Sequence, residues 1–355
     1  MNTLLKLLLT IFLLTGCIQR NYNVKENESN KNYSSDMKSE STRSFKKEII
    51  NLAIIFPSVT IGQYALEATN SINTYLMYKD EEFKLSVYDI IVQNKNNLIN
   101  VIEIIKAKKI NRVIAMITKE DLIHLSNISD ISHIKFYFPL INKDNIINYD
   151  KFENLDLTFG AISYKDQFEK LIEYASDKTL VEFYGDSVIG RTLHEYLSNK
   201  TIKYTKKIDD KNGKYKNFLE DNEKFDNSVV LLNTPIIKSS ILLSAINSQE
   251  LNISKILSTQ LNYTPLLFSL TQTLDREKLV IANSIGEIPK YLEEYDNLIG
   301  NSLSYSWVNY STIVGIEYLL NNNVEIFKNL SLKNNQIIYP VNLYTVGDHS
   351  FKLIK

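Results

Sequence analysis

The chain has 355 residues, 44% of them hydrophobic, and its 40 basic side chains nearly balance 41 acidic ones. A near-neutral balance with no concentrated basic face excludes nucleic acid as a partner. Cys17 is the single cysteine, so the body holds no intramolecular disulfide, thiolate metal site or cysteine nucleophile.

Residues Met1 to Cys17 read MNTLLKLLLTIFLLTGC, with Lys6 ahead of an apolar run from Leu7 to Leu14. A short cationic region followed by a brief apolar core and small residues is the pattern of a secretory signal. The run is too short to cross a bilayer comfortably, which takes about 20 apolar residues. Leu14-Thr15-Gly16-Cys17 resembles the lipobox of bacterial lipoproteins. That resemblance implies cleavage before Cys17, fatty acylation of its thiol with chains such as palmitate, and acylation of the new amino terminus. Each buried methylene contributes about 0.8 kcal/mol, so several chains anchor the protein durably in the membrane. Ile18 stands where many lipoproteins retained at the inner membrane carry Asp, which by the family rule implies the outer membrane, facing the periplasm. Residues 18–48 are rich in Asn, Ser, Lys and Glu. They are expected to form a disordered tether, with a reach of about 30 Å.

The remaining length, roughly 305 residues, exceeds what one compact core usually fills and predicts two lobes. Asn51 to Phe56 is a continuous apolar run closed by Pro57, as in a buried parallel strand. Ile61, Ala65, Ala68, Ile72 and Leu76 then lie on one face of an amphipathic helix. Phe83 to Ile91 is a strand, Leu98 to Lys108 a helix, and Arg112 to Ile117 a strand. Glu120 to Leu125 is a short helix and Lys135 to Ile141 a fourth strand. This alternation implies right-handed crossovers and a parallel sheet.

A second series opens on a strand at Leu157, LTFGAI, followed by a helix over Tyr164 to Ala175. Thr179 to Tyr184 is a strand, Val188 to Leu197 a helix, Asn227 to Asn233 a buried strand and Lys238 to Ile246 a helix. A strand over Lys255 to Leu261, an apolar stretch at Leu266 to Leu274 and a strand at Leu279 to Ala282 complete this series. Trp307 to Leu320 reads as a late helix, and Ile337 to Lys355 as a terminal hairpin turning at Gly347-Asp348.

In order and spacing this layout resembles the type I periplasmic-binding-protein fold of amino-acid receptors and penicillin-binding-protein activators. The matching pieces are Leu52 to Pro57, Phe159 to Tyr164, Tyr184-Gly185-Asp186-Ser187, and Tyr339-Pro340-Val341 to Phe351. The resemblance implies an α/β protein of two doubly wound parallel-sheet lobes joined by a multi-crossing hinge. Lobe 1 would comprise 49–155 and about 286–330, and lobe 2 would comprise 156–285 and about 337–355. The crossings are expected near Asn154 to Leu157, Ile285 to Glu294 and Leu330 to Ile337. Ser58-Val59-Thr60-Ile61-Gly62 departs from the Ser-Gly-Pro turn of many members, against a conventional amino-acid carboxylate site.

Ligands of doubly wound sheets sit at the carboxyl ends of the strands. The residues expected there are Ser58, Thr60, Thr118, Ser163, Tyr164, Tyr184, Asp186, Asn233, Thr234, Thr259 and Gln260. Their hydroxyls and amides suit a small polar solute, although the same residue types populate turns and caps. Ser258 to Pro265 reads more readily as a solvated loop than as a cleft lining, and Tyr305, Trp307 and Tyr310 as lobe packing. No phosphate-binding, zinc-protease or nucleophile-elbow motif is present. The four histidines are scattered without metal-ligand spacing. Neither enzyme activity nor any cofactor or metal is expected. The expectation is a non-catalytic envelope binder of a small polar or cell-wall-derived solute. The alternative is a regulator of envelope synthesis that keeps the fold and acts by protein contact.

Overall fold

A computed structural model describes residues 49–355, apart from Gln93, Asp177 and residues 210–214. The expected anchor at Cys17 and the tether over 18–48 lie outside the described residues.

Two seven-stranded sheets organise the chain. The first contains β1 (Ile50–Phe56), β2 (Phe83–Asp89), β3 (Arg112–Ala115), β4 (Lys135–Phe138) and β5 (Asp156–Phe159), with a late hairpin of β11 (Ser331–Lys333) and β12 (Gln336–Ile338). Its order is β11-β12-β5-β4-β3-β1-β2, parallel except for β11. The second holds β6 (Leu180–Gly185), β7 (Ile202–Ile208), β8 (Ser228–Asn233), β9 (Ile253–Ser258), β10 (Leu279–Asn283), β13 (Asn342–Val346) and β14 (Phe351–Leu353). Its order is β14-β13-β10-β9-β8-β6-β7, with an antiparallel pairing at β13 and again at β14. The five parallel strands of each sheet therefore follow one plan, β5-β4-β3-β1-β2 and β10-β9-β8-β6-β7.

Helices cover both faces of each sheet, as parallel strands require. They are α1 (Ser58–Tyr78), α2 (Lys95–Ala107), α3 (Lys119–Leu125), α4 (Tyr164–Ala175), α5 (Val188–Glu195), α6 (Ile236–Ser248), α7 (Leu266–Leu270), α8 (Lys290–Leu298) and α9 (Trp307–Asn321). Alternate residues of β1 divide between two cores. Leu52 and Ile54 join α1 and α9 on one side, while Ala53 and Ile55 join the α2 side. The predicted stripe of α1 is buried at Ala65, Ala68, Ile72 and Leu76, and the helix departs from regular geometry at Ile61.

The chain crosses between the sheets three times. The first crossing falls at Gly160 to Ser163, not near Asn154 to Leu157, because Asp156–Phe159 pairs in parallel with Lys135–Phe138 and completes the first sheet. The second runs from Ser284 into α8, within the expected region. The third falls at Tyr339 to Val341 rather than Leu330 to Ile337, because that segment forms the β11–β12 hairpin beside β5. β7, α8 and this hairpin were not anticipated, whereas the final hairpin turns at Gly347 as expected.

The crossings fix how the lobes meet. The first leaves the carboxyl end of β5, the second that of β10 and the third that of β12. The third reaches β13 at Asn342, which pairs with Asn283 at the end of β10. The carboxyl edges of both parallel sheets therefore face the hinge.

Candidate functional site

The lobe 1 edge of this cleft is built by the turns after β1, β2 and β3. Ser58 begins α1, and its backbone N–H donates to Asp89 Oδ1 at 3.0 Å. Ile91 N–H donates to the same oxygen at 2.6 Å, and Val59 N–H donates to the Ile91 carbonyl at 3.0 Å. Burial acts to raise the Asp89 carboxyl, but the hydrogen bonds from Ser58 and Ile91 outweigh it and hold the group below the usual carboxylate range. Thr60 is exposed in the first turn of α1. Thr118 caps α3 by accepting from Asp121 N–H at 3.4 Å.

The lobe 2 edge carries more buried polarity. Ser163 caps α4, accepting from Asp166 N–H at 3.0 Å. Asp186 is exposed and paired with Lys207 at 2.8 Å and Arg191 at 2.9 Å, and these cations hold its carboxyl below its ordinary range. Tyr184 stacks on His194 with ring centroids 4.1 Å apart. His194 Nδ1 lies 2.7 Å from the buried Glu182 carboxylate, whose other oxygen accepts from Asn233 Nδ2 at 2.9 Å. Burial raises Glu182 above its ordinary value, opposed by the bonds from Asn233 and His194. The Glu182–His194 pair was not anticipated from spacing; a carboxylate inside the apolar run TLVEFY was its signal.

Ser258, Thr259, Gln260 and Asn262 are buried, contrary to the solvated-loop reading. Gln167 Nε2 donates to Gln260 Oε1 at 2.9 Å, and Gln260 N–H returns a bond to Gln167 Oε1 at 2.9 Å. Ser284 N–H donates to Gln260 Oε1 at 3.0 Å, which ties the turn to the second crossing. Thr234 shares a 2.7 Å hydroxyl contact with Ser239, and Asn262 Nδ2 donates to both the Thr234 carbonyl and Ser239 Oγ. Thr259 Oγ1, Gln260 Nε2 and Asn262 Oδ1 are buried without a hydrogen-bond partner.

Aromatic side chains bridge the lobes beside the hinge. Tyr164 of α4 packs, with Trp307, against the lobe 1 core, and burial raises its phenol well above the ordinary value. Tyr305, ahead of α9, lies 5.6 Å from Tyr263 of lobe 2, which stacks on Phe351 at 4.2 Å. Tyr310 is buried in the lobe 1 core, as expected. Farther along the hinge, Gln336 Nε2 and Asn142 Nδ2 both donate to the Ala161 carbonyl. A cavity of about 490 Å³ opens beside them, and of the residues expected to bind ligand it contains Ser163. Among the described residues, no group of three or more His, Cys, Asp or Glu side chains is arranged to hold a metal ion.

Two equivalent doubly wound lobes, with three crossings at their carboxyl edges, define the type I periplasmic-binding-protein-like fold. Solved structures of that fold superimpose on the chain. A solute-binding protein of an ABC transporter from Rhodopseudomonas palustris BisB5, in complex with 3,4-dihydroxybenzoic acid, matches with TM-score 0.60 and 10% identity over 86% of this chain and 96% of its own. The leucine-, isoleucine-, valine-, threonine- and alanine-binding protein of Brucella ovis matches with TM-score 0.60 and 11% identity over 87% and 95%. LpoA of Haemophilus influenzae matches with TM-score 0.59 and 10% identity over 88% of this chain, which spans 60% of LpoA. No protein-family model and no curated protein sequence matches the chain.

Proposed function

We propose that this protein is a non-catalytic, lipid-anchored envelope protein that binds a small solute between its lobes. The observation that carries the reading is the buried turn Thr259 to Asn262. Three side-chain polar atoms there, just beyond the carboxyl end of β9, lack partners, and such groups are costly unless something satisfies them. The solute-binding proteins that share the fold support it. The lipobox Leu14-Thr15-Gly16-Cys17 supports anchoring, and Ile18 supports the outer membrane facing the periplasm. Thermal-shift measurements on the compact unit Lys47–Lys355 against amino acids, hydroxybenzoates, peptides and muropeptides test binding. A ligand raises the midpoint by mass action, and no shift with any of them sinks the reading. Loss of fatty-acid labelling and membrane retention in Cys17→Ala tests the anchor.

A second reading, regulation of envelope synthesis by protein contact, is favoured by the lobe-bridging contacts of Tyr164 with the lobe 1 core and of Tyr263 with Tyr305. These act to hold the lobes in one relation. It gains if every solute fails and a partner protein from the envelope binds the intact chain.

A further inference from the structure

The turns at the two carboxyl edges repeat a motif, Ser58-Val59 after β1 and Ser187-Val188 after β6. Both valines stand out from the surface, Val59 at 71% exposed and Val188 at 72%. Ile237, at the start of α6 after β8, is 64% exposed, and Ile91, after β2, is 57% exposed. Scattered aliphatic residues on a surface need no explanation, but these four share the two edges that face each other across the hinge.

Ile91 adds an independent observation. Its φ of 62° is left-handed, and among the described residues it is the one β-branched residue with positive φ. That conformation is disfavoured for an L-residue, most of all a β-branched one, and the side chain gains no core packing in return. The strain instead holds an aliphatic group beside Val59. Asp89 meanwhile accepts from the first backbone N–H of α1, so a carboxylate of the chain's own occupies that helix start.

We infer, on the solute-binding reading above, that the solute is uncharged at its lobe 1 end and carries an apolar body gripped between Val59 with Ile91 and Val188 with Ile237. Closure then buries aliphatic surface from both lobes against the ligand, and an anionic head group is refused at α1 by Asp89.

The test is a homologous series of neutral amides, propanamide to hexanamide, titrated into the full chain in mild detergent. The readout is the emission of Trp307, the single tryptophan, at the lobe boundary. Affinity is expected to rise about fourfold per added methylene, and hexanoate to bind at least about tenfold more weakly than hexanamide. The combined variant Val59→Ser, Val188→Ser, Ile237→Ser flattens the series, whereas Leu298→Ser, an exposed control on α8, leaves it unchanged. A flat series beside firm binding of a polar or anionic solute overturns the ligand class and leaves the binding reading standing. Silence of Trp307 toward every solute, with no thermal shift, overturns both.

Discussion

Tyr137 lies directly over Gly160. A methyl group added at Gly160 would stand 1.8 Å from the Tyr137 hydroxyl, nearer than any non-bonded atom can approach. The Gly160 carbonyl accepts from Ser311 and from Tyr339, each at 2.7 Å, so the first and third crossings are bolted to lobe 1 through one peptide. Gly160→Ala is therefore expected to destabilise the protein by about 1–3 kcal/mol, the range of a forced overpacking in a closed core. Tyr137→Phe relieves nothing at the ring and is not expected to rescue it. Tyr137→Leu in the same background is, and urea unfolding of the three variants checks both expectations.

The buried carboxylate of Glu182 makes a second prediction. Its partners are the Asn233 amide and the His194 imidazole, so His194→Ala leaves one buried oxygen unpaired and costs about 1–3 kcal/mol near neutral pH. Glu182→Gln removes the charge that needs the partner, and the cost of His194→Ala is smaller in that background. A double-mutant cycle by chemical denaturation reads the coupling directly; additive losses would show that the pair carries no energy of its own.

Asp296 sets a pH dependence. It lies fully buried on α8 against α1, where Oδ1 accepts from Ser71 at 3.1 Å and from Asn301 at 3.3 Å. Burial pushes its carboxyl up to about 6 from 3.8, against those hydrogen bonds. A folded value above the unfolded one means the native state binds the extra proton. The stabilisation is complete below the unfolded value and is lost as pH rises through about 6. Asp296→Asn keeps the acceptor and abolishes the titration. Its stability relative to wild type is expected to improve between about pH 4.5 and about pH 7.5. Denaturation midpoints at the two pH values check it, and a constant difference would locate the titration elsewhere.

The apolar runs Asn51 to Phe56 and Asn227 to Asn233 declared buried strands by themselves, and the helical stripe from Ala65 to Leu76 declared its covering helix. Sheet membership was not declared in this way. Asp156–Phe159 looks like the opening strand of a second series. Only its pairing with Lys135–Phe138 assigns it to the first sheet. β7 was missed because an edge strand alternating Lys203, Thr205 and Lys207 with half-buried Ile202, Tyr204 and Lys206 has no apolar run. The polarity of Ser258 to Asn262 suggested solvent, yet Gln167, ninety-three residues earlier, buries it. Local pattern reports how polar a segment is, while distant partners decide whether it is buried.

Trp307 of α9 in lobe 1 and Tyr164 of α4 in lobe 2 pack against the same lobe 1 core, so any hinge rotation changes the surroundings of the indole. Closure on a solute is expected to alter Trp307 emission without interference from any other tryptophan. Tyr164→Phe removes the buried phenol hydroxyl from this boundary. It should shift the emission of the free protein toward that of a more mobile lobe pair. If Tyr164→Phe leaves both emission and solute affinity unchanged, the bridge does not restrain the lobes. Loss of solute affinity with unchanged stability would instead place Tyr164 on the ligand. An increase in affinity would mean that the bridge holds the lobes against closure, which is the behaviour expected if solute binding must first break it.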